Sequence, residues 1–439
     1  MAIREDAQEI INQALKSCLP DKAVRRALQG KEFGDGKIVM VAIGKAAWQM
    51  ARCGAECLGE RLSSGIVITK YGHSMGDIER CKIVEAGHPV PDKNSFEGTK
   101  QAMELVKNLN REDTVIFLIS GGGSALFESP LISPEELTDL TNKLLNCGAN
   151  IVEMNTIRKR ISAVKGGKFA KLCAPASVYA VVLSDILGDP LDMIASGPAC
   201  CDSSTCEQAL DIINKYRISI SKQVLKLLKI ETPKSLDNVK TVVTGSVREL
   251  CLAAAKTCES LGYETIILTD QLECQAREAG LMLSSIARTY ANSNKSIAFI
   301  VGGETVVRVS GDGKGGRNQE LALAAAEGIS GLENVVIFSV GSDGTDGPTD
   351  AAGGIVEGLT ADKLHILGMD IHKILEKNDA YPALKAVGGL LQVLLEQMSM
   401  ILRVFLCAKM KNSKINSFIH INSHICHMNT RYFQRRVVE

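Results

Sequence analysis

The chain alternates short apolar runs with longer amphipathic stretches, which is the pattern of strands and helices in an α/β protein. Residues 37–44 (KIVMVAIG) and 114–120 (TVIFLIS) are almost entirely apolar, which predicts strands buried on both faces of a parallel sheet. Residues 178–184 predict another buried strand, and residues 3–17 carry apolar side chains at helical spacing. This alternation predicts a doubly wound sheet.

A polar stretch that contains proline, residues 231–238 (ETPKSLDN), separates this region from a second alternating one. Beyond the stretch, strands are predicted at 239–244, 264–269, 296–301 and 335–340. At 439 residues the chain is too long for a single compact core. We therefore predict a doubly wound domain at 1–236 and a smaller α/β domain at 237–390.

The composition changes sharply after Leu390. Residues 391–439 contain no glycine, proline or aspartate, whereas all 39 glycines precede them. A helix over 390–407 is one interpretation, but Glu396 and Arg403 interrupt the apolar pattern, and the stretch is too short to span a bilayer. We predict a divergent and poorly ordered tail at 391–439.

Residues 301–328 combine a strand, a glycine-rich turn and a helix. The strand is predicted at 305–310, the turn ends at Gly316, and the helix begins at Arg317. Bare backbone before a helix N-terminus exposes N–H groups that suit an anion, and arginine adds a forked charge that matches phosphate. The residues predicted to bind a phosphate-bearing cofactor here are Gly313, Gly315, Gly316 and Asn318.

Two familiar motifs overlap in this turn. Gly311-x-Gly313-x-x-Gly316 fits the dinucleotide pattern, but no clear acidic residue ends the next strand. The turn is also similar to a P-loop, except that Arg317-Asn318 stands where lysine and a hydroxyl residue belong. An ordinary flexible turn is the third interpretation.

Two further candidate groups follow the apolar strands directly. Lys45 comes after the first of them, and in an open α/β sheet ligands bind at such carboxyl ends. A glycine triplet follows the second, where no side chain shields the backbone amides from an anion. The predicted anion-binding residues in this turn are Ser120, Gly121, Gly122, Gly123 and Ser124. The alternatives are a surface lysine and a plain turn.

Acidic loops follow two other strands. Asp185 and Asp189 lie in one loop, and Asp343, Asp346 and Asp350 lie in another, with Asp343 the metal-ligand candidate of the second. Carboxylates in such loops could hold Mg²⁺, which completes its coordination shell with phosphate oxygens and water. Helix capping and solvated turn aspartates are the alternatives. Basic residues at 155–168 are interpreted as solvated helix surface.

Overall composition narrows the class of protein. A formal net charge of +0 gives no reason to propose nucleic acid or an anionic membrane as a partner. The 14 cysteines lack regular spacing, which favours free thiols in a reducing compartment. The first residues lack the apolar core of a signal peptide and are acidic, so a cytoplasmic location is expected, with mitochondria as the alternative.

These residues together favour phosphoryl transfer. That reaction needs phosphate-receptive turns, fixed positive charge and a metal ion, with little covalent work by the protein. Lys45, Arg317, the glycine turns and the acidic loops match this requirement. No spacing in the sequence indicates a His–Ser or Cys–His pair for nucleophilic catalysis.

Six ordered motifs resemble those of the MOFRL-containing glycerate kinases. They are SGGGSAL (120–126), NTIRK (155–159), LSDILGDP (183–190) with IASGP (194–198), GGE (302–304), GGRNQELAL (315–323) and GTDGPTDAAG (344–353). The resemblance extends from about residue 3 to Leu390.

The resemblance implies ATP-dependent phosphorylation of D-glycerate, with Mg²⁺ as the metal. It also implies a Rossmann-like N-terminal domain, a smaller MOFRL-type domain and an active site in the cleft between them. The catalytic lysine and arginine proposed for the family match Lys45 and Arg317. Neither the hydroxyl that is phosphorylated (2- or 3-) nor the oligomeric state is defined, and a homodimer is an open alternative.

One departure from the family pattern follows Gly388-Gly389. Members usually continue with a TGxTGTNVxD loop and a last strand, to which Leu391 and the residues after it bear no likeness. A catalytically impaired isoform that only binds ligand is therefore one alternative to an active kinase. The other is a hydroxypyruvate/glycerate oxidoreductase, which the Gly311-x-Gly313-x-x-Gly316 match and the overlap of substrates support.

Overall fold

The computed structural model describes residues 2–184, 188–393 and 400–408. Within these ranges the chain forms two six-stranded sheets with helices on both faces. The helices are α1 (Ala2–Ser17), α2 (Pro20–Leu28), α3 (Ala47–Leu58), α4 (Lys93–Val106), α5 (Gly123–Leu126), α6 (Pro134–Asn146), α7 (Ile151–Ile161), α8 (Lys168–Cys173), α9 (Cys206–Lys215), α10 (Lys222–Leu228), α11 (Val247–Ser260), α12 (Ala276–Tyr290), α13 (Arg317–Gly328), α14 (Thr360–Ile366), α15 (Ile371–Glu376) and α16 (Ala380–Ala386).

The first sheet is parallel throughout and has the strand order 3-2-1-4-5-6 of a Rossmann-like fold. Its strands are β1 (Ile38–Ile43), β2 (Leu62–Lys70), β3 (Cys81–Ala86), β4 (Thr114–Ile119), β5 (Ser177–Leu183) and β6 (Val239–Gly245). Helices α2 and α3 cover one face, and α4 and α8 cover the other. All residues of β1 and β4 are buried, so the predicted doubly wound sheet with apolar central strands is confirmed.

The second sheet is mixed, with the order 11-10-9-12-8-7. Its strands are β7 (Glu264–Gln275), β8 (Ile297–Val306), β9 (Val335–Gly341), β10 (Gly353–Glu357), β11 (Leu390–Leu391) and β12 (Ile401–Cys407). Helices α1 and α11 pack on one face, and α12, α13 and α14–α16 pack on the other. The strand predicted at 305–310 is wrong beyond Val306, where β8 ends.

The two sheets divide the chain differently from the predicted boundary at 236/237. Strand β6 begins at Val239, yet it pairs with β5 in the first sheet. Helix α1 begins the chain, yet its apolar face packs against α11, β9 and β12 of the second sheet. Hydrophobic spacing identifies these elements but does not show which sheet each one joins. The predicted domain boundary along the sequence therefore differs from the way the elements are distributed between the two sheets.

The tail predicted at 391–439 contains a central strand. All seven residues of β12 are buried, and the strand pairs antiparallel with both β8 and β9. A run of branched and aromatic side chains explains the strand, because such residues pack well on a pleated sheet. Arg403 is tolerated because its guanidinium donates to the Gly303 carbonyl at 3.3 Å and the Thr305 hydroxyl at 2.9 Å.

We expect Ile10→Ala to destabilise the second domain although Ile10 lies near the start of the chain. Ile10 is 0% exposed within the core that α1 forms with the second sheet. Removing a buried isoleucine side chain down to alanine typically costs about 2–5 kcal/mol. Urea denaturation measures the loss, with the exposed Gln13→Ala on the same helix as the control. Equal midpoints for the two variants would contradict the packing of α1.

Candidate functional site

The first candidate site lies where the two halves of the first sheet diverge. Strands β1 and β4 are neighbours, but the chain leaves them toward opposite edges of the sheet. Ligands of open α/β sheets bind at such a switch point, beyond the carboxyl ends of the strands. Lys45 follows β1, and the turn Gly121–Gly123 follows β4. The structure therefore brings these two predicted groups together.

Hydrogen bonds join the two strand ends directly. The Lys45 amide donates to the Gly121 carbonyl at 2.9 Å. The Ser120 hydroxyl donates to the Ile43 carbonyl at 3.1 Å and accepts from the Ala46 amide at 3.1 Å. Ser120 is 2% exposed, so its hydroxyl serves the fold rather than the predicted cofactor contact.

The glycine turn presents backbone amides at its surface. Gly122 has φ 83°, a left-handed conformation that favours glycine, and it precedes the short helix α5. Among the described residues no acceptor pairs with the N–H groups of Gly122, Gly123 or Ser124. Successive free amides in such a turn form a concavity that suits an anion. Binding of an anion to this turn stays a prediction, which its unpaired amides support.

The glycine turn is held from beneath by cations that sequence reasoning missed. The Ser124 carbonyl accepts from the Lys165 ammonium at 2.8 Å and from the Arg158 guanidinium at 3.1 Å. The Ser124 hydroxyl contacts the Ser196 hydroxyl at 2.9 Å, which donates to the Asn155 side-chain carbonyl at 3.0 Å. The side chain of Ser124 is therefore engaged within the protein, while its amide is free.

The basic residues at 155–168 are not the solvated surface that the sequence predicted. Lys165 is 0% exposed and pairs with Glu128 at 3.0 Å, and burial lowers the pKa of Lys165 to about 8. Lys159 is also buried and pairs with Asp192 and Asp202, each at 3.1 Å. Charge alternation along a helix does not show which cations have buried carboxylate partners, so the sequence pattern was misleading.

The second candidate site surrounds Arg317 on the other sheet. Arg317 is the first residue of α13, and its guanidinium pairs with the carboxylate of Glu304 on β8. The Arg317 side chain remains 30% exposed, and that of Glu304 remains 50% exposed. An accessible arginine with one fixed ion pair can still receive an anionic group with its remaining donors.

The N-terminus of α13 is closed by a carboxylate of the chain itself, in contrast to the predicted anion site. The Asn318 amide donates to one Asp346 oxygen at 3.1 Å, and the Gln319 amide donates to the other at 2.9 Å. Asp346 is 2% exposed; burial raises its pKa, while these two amides and Arg317 act in the opposite direction. The helix dipole is therefore used internally.

The glycines before α13 are required by close packing of backbone. A Cβ on Gly313 would lie 2.4 Å from the Lys377 carbonyl oxygen, and one on Gly316 would lie 2.3 Å from Asp346 Cγ. A Cβ on Gly315 would meet Ala380 N at 3.2 Å. These contacts explain the three glycines without the phosphate that the sequence predicted for them.

Asn318 is likewise used inside the protein. Its side-chain carbonyl accepts from the Ser339 hydroxyl at 2.6 Å, and its amide group donates to the Ala352 carbonyl at 3.4 Å. Asn318 is 1% exposed, so the predicted cofactor contact is replaced by a link between α13 and β9.

The predicted metal ligands lie in loops of different sheets. Asp189 follows β5, is half-buried and has φ 52°, whereas the half-buried Asp343 follows β9. Asp185 lies outside the described residues. Within the described ranges no three His, Cys, Asp or Glu side chains are grouped as metal ligands. A bound Mg²⁺ would therefore depend on oxygens from a ligand or from water.

One contact relates the two candidate sites. A Cβ on Gly188, in the loop of Asp189, would lie 3.8 Å from the side-chain oxygen of Gln271 on β7. The next residue of β7, Leu272, pairs with Gly303, which precedes Glu304. The loop after β5 thus faces the part of the second sheet that carries the partner of Arg317.

No helix among the described residues is both long enough and apolar enough to cross a membrane.

Comparison with known proteins gives two family matches. Residues 6–229 match a domain of unknown function, DUF4147, and residues 297–396 match the MOFRL family. The chain is 49% identical over 396 residues to D-glycerate 2-kinase of Thermotoga maritima, which covers 89% of this chain and 94% of that protein. It is 35% identical over 405 residues to a putative hydroxypyruvate reductase of Agrobacterium vitis, with 89% and 91% covered.

A solved structure shows the same architecture. The crystal structure of glycerate kinase from Thermotoga maritima matches with a TM-score of 0.89 and 47% sequence identity. The match covers 93% of this chain and all of that chain, 100%. Both sheets are therefore part of one shared fold.

We expect Asp346→Ala to destabilise the protein, because it leaves two amides at the start of α13 without acceptors. A buried donor left unpaired costs about 1–3 kcal/mol. Asp346→Asn keeps one acceptor and should fall between the parent and the alanine variant. Urea denaturation measures the difference, and the exposed Asp312→Ala in the preceding turn is the control. An Asp346→Ala variant as stable as this control would exclude the capping role.

Proposed function

We propose that this chain, which belongs to the MOFRL-containing glycerate kinases, transfers the γ-phosphoryl group of ATP to the 2-hydroxyl of D-glycerate. Family membership rests on the two family matches and on the high identity to a D-glycerate 2-kinase. The observation that carries the proposal is the set of free amides beside Lys45 at the switch point of the first sheet.

The glycine turn and Lys45 provide the anion-binding half of the proposed site. The amides of Gly122, Gly123 and Ser124 would receive phosphate oxygens, because they have no acceptor in the described part of the chain and because Gly122 and Ser124 are only half-buried. Lys45 adds positive charge next to them: a Cβ on Gly122 would lie 3.2 Å from Lys45 Cγ. Phosphoryl transfer depends mainly on such positioning and charge neutralisation.

Arg317 provides the second half of the proposed site. Glu304 holds one side of its guanidinium, which restricts the rotamers of a long side chain before any ligand binds. The remaining donors would contact the negative charge that develops on the transferred group. The position of Gly188 near Gln271 supports a cleft between the two sheets, because a Cβ on Gly188 would lie 3.8 Å from the side-chain oxygen of Gln271.

Asp189 and Asp343 fit a magnesium ion only as partial ligands. Both are half-buried loop carboxylates, and the described residues contain no complete metal-binding group. Mg²⁺ typically uses one or two protein carboxylates together with substrate phosphates. A bound Mg²⁺ would neutralise phosphate charge during the reaction. Asp185, which the sequence predicts as a metal ligand, remains the third proposed ligand.

A reductase is the second candidate function, because two similar proteins are named putative hydroxypyruvate reductase. In this chain the sequence pattern that supports a reductase is Gly311-x-Gly313-x-x-Gly316. In a dinucleotide site the second glycine lets the backbone approach the pyrophosphate. Here Gly313 lies against the Lys377 carbonyl instead, and its amide donates to that oxygen at 2.9 Å. The packing of this turn therefore favours the kinase.

We expect the purified protein to release ADP from ATP only when D-glycerate and Mg²⁺ are both present, with 2-phosphoglycerate as the product. Coupled detection of ADP measures the rate, and NMR of the product identifies the phosphorylated hydroxyl. The same preparation is assayed for NAD(P)H oxidation with hydroxypyruvate. Oxidation of NAD(P)H without ADP release would assign the reductase, and absence of both reactions would indicate a protein that only binds ligand.

We expect Arg317→Lys to lower kcat on the order of 10³-fold or more, because a lost transition-state contact in phosphoryl transfer has effects of that size. Lysine keeps the charge but loses the planar fork that can hold Glu304 and a ligand at once. The Kd for ATP should change much less than kcat. The matched control is Arg248→Lys, whose side chain is 71% exposed. A near-parental kcat in Arg317→Lys would remove this arginine from the mechanism.

A further inference from the structure

His88 lies against the glycine turn of the proposed active site. A Cβ on Gly122 would be 3.0 Å from His88 Cδ2 and 3.1 Å from Nε2, which places the imidazole edge beside the turn's Cα. The same Cβ on Gly122 would lie 3.2 Å from Lys45 Cγ. The imidazole and the lysine stem therefore flank the glycine whose neighbouring amides are free.

We propose that His88 is the general base that accepts the proton of the D-glycerate hydroxyl during phosphoryl transfer, an assignment that rests on the proposed kinase function. A general base must come within hydrogen-bond reach of the proton that it accepts. His88 is half-buried, so part of the residue remains exposed.

The ring nitrogens of His88 are available for this role. Within the described ranges neither nitrogen has a hydrogen-bond or ion-pair partner, unlike those of two other histidines. His73 Nδ1 contacts the Lys45 carbonyl at 3.0 Å, and His372 Nε2 contacts Glu327 at 3.1 Å. His73 is half-buried like His88 and shows the pairing that a histidine with only a supporting role normally makes.

The electrostatic surroundings favour the neutral ring. Burial lowers the pKa of His88 from its ordinary value, and the cations of Lys45 and Lys70 together with His73 lower it further. These groups face it from the turn after β1, from β2 and from the loop after β2. A neutral imidazole cannot hold an anion by charge, but it has the lone pair that a base requires.

The proposed step balances in atoms and charge. The hydroxyl oxygen of D-glycerate forms a bond to the γ-phosphorus of ATP as the bond from that phosphorus to the β,γ-bridging oxygen breaks. The hydroxyl proton passes to a ring nitrogen of His88, and ADP leaves. Because burial and the neighbouring cations disfavour the protonated ring, the proton then passes to water and the neutral base is restored at neutral pH.

Substitution of His88 tests the proposal in the full-length protein. We expect His88→Gln and His88→Ala to lower kcat by about 10²- to 10⁴-fold, the usual contribution of a general base. The KM values for D-glycerate and ATP should change only a few-fold. His365→Gln, an exposed histidine on α14, is the matched control and should leave both constants unchanged.

The pH profile distinguishes a base from a supporting residue. In the parent, kcat/KM should fall on the acid side with an apparent pKa below the ordinary histidine value, because protonation removes the base. The two variants should lose this limb, and added imidazole should partly restore the rate of His88→Ala. An unchanged acid limb, or a kcat within two-fold of the parent, would overturn the assignment.

If the His88 variants do not fold, an NMR measurement on the parent still tests the proposal without requiring turnover. We expect the ring resonance of His88, followed by NMR in the parent, to change its titration midpoint when D-glycerate binds. A resonance that D-glycerate leaves unchanged would overturn the role of His88. A parent that releases no ADP would overturn the kinase function itself, whereas an active parent with active His88 variants would overturn only the base.

Discussion

The pair of hydrogen bonds from the start of α13 to the buried Asp346 carboxylate fixes the geometry of the second domain around Arg317. Those bonds bring the loop after β9 so close to α13 that only glycine fits at position 316. They also occupy the helix N-terminus, which would otherwise attract a ligand anion. Arg317 is therefore held in place by Glu304, while in the proposed function phosphate binds to the free amides beside the first sheet.

The proposed cleft therefore contains two helix N-termini that differ. The N-terminus of α13 is capped by Asp346, whereas the turn before α5 has amides without acceptors among the described residues. The capped N-terminus positions a cation, and the turn after β4 presents amides that Lys165 and Arg158 support through the Ser124 carbonyl. Arg403 adds a third link, since it donates to Gly303 and Thr305 on either side of Glu304. Burial, with a smaller effect of Arg317, lowers the pKa of Arg403 to about 10. Burial of this charge is therefore unfavourable in free energy, and the hydrogen bonds of the guanidinium offset that cost.

The sequence predicted the parts of the fold that depend on local pattern. The apolar strands β1 and β4, the doubly wound sheet and the helix at Arg317 all follow from periodicity and from glycine. Partners distant in sequence could not be predicted in the same way. No local signal connects α1 to the second sheet or Asp346 to α13, a separation of 28 residues. A glycine turn next to a helix has the same sequence signature whether the amides receive a phosphate or a carboxylate of the chain.

The altered C-terminus has a narrower effect than its composition indicates. Strands β8 and β9 each pair antiparallel with β12, so without β12 two buried backbone edges would face each other unpaired. The sequence ILRVFLC still fills that position, with Leu402, Val404 and Leu406 in one core and Phe405 and Cys407 in the other. Because β12 keeps this alternation, β8 keeps its neighbouring strand in the sheet. Strand β8 carries Glu304, which in turn holds Arg317. Any loss of activity caused by the divergent sequence must then arise outside the paired residues of β12.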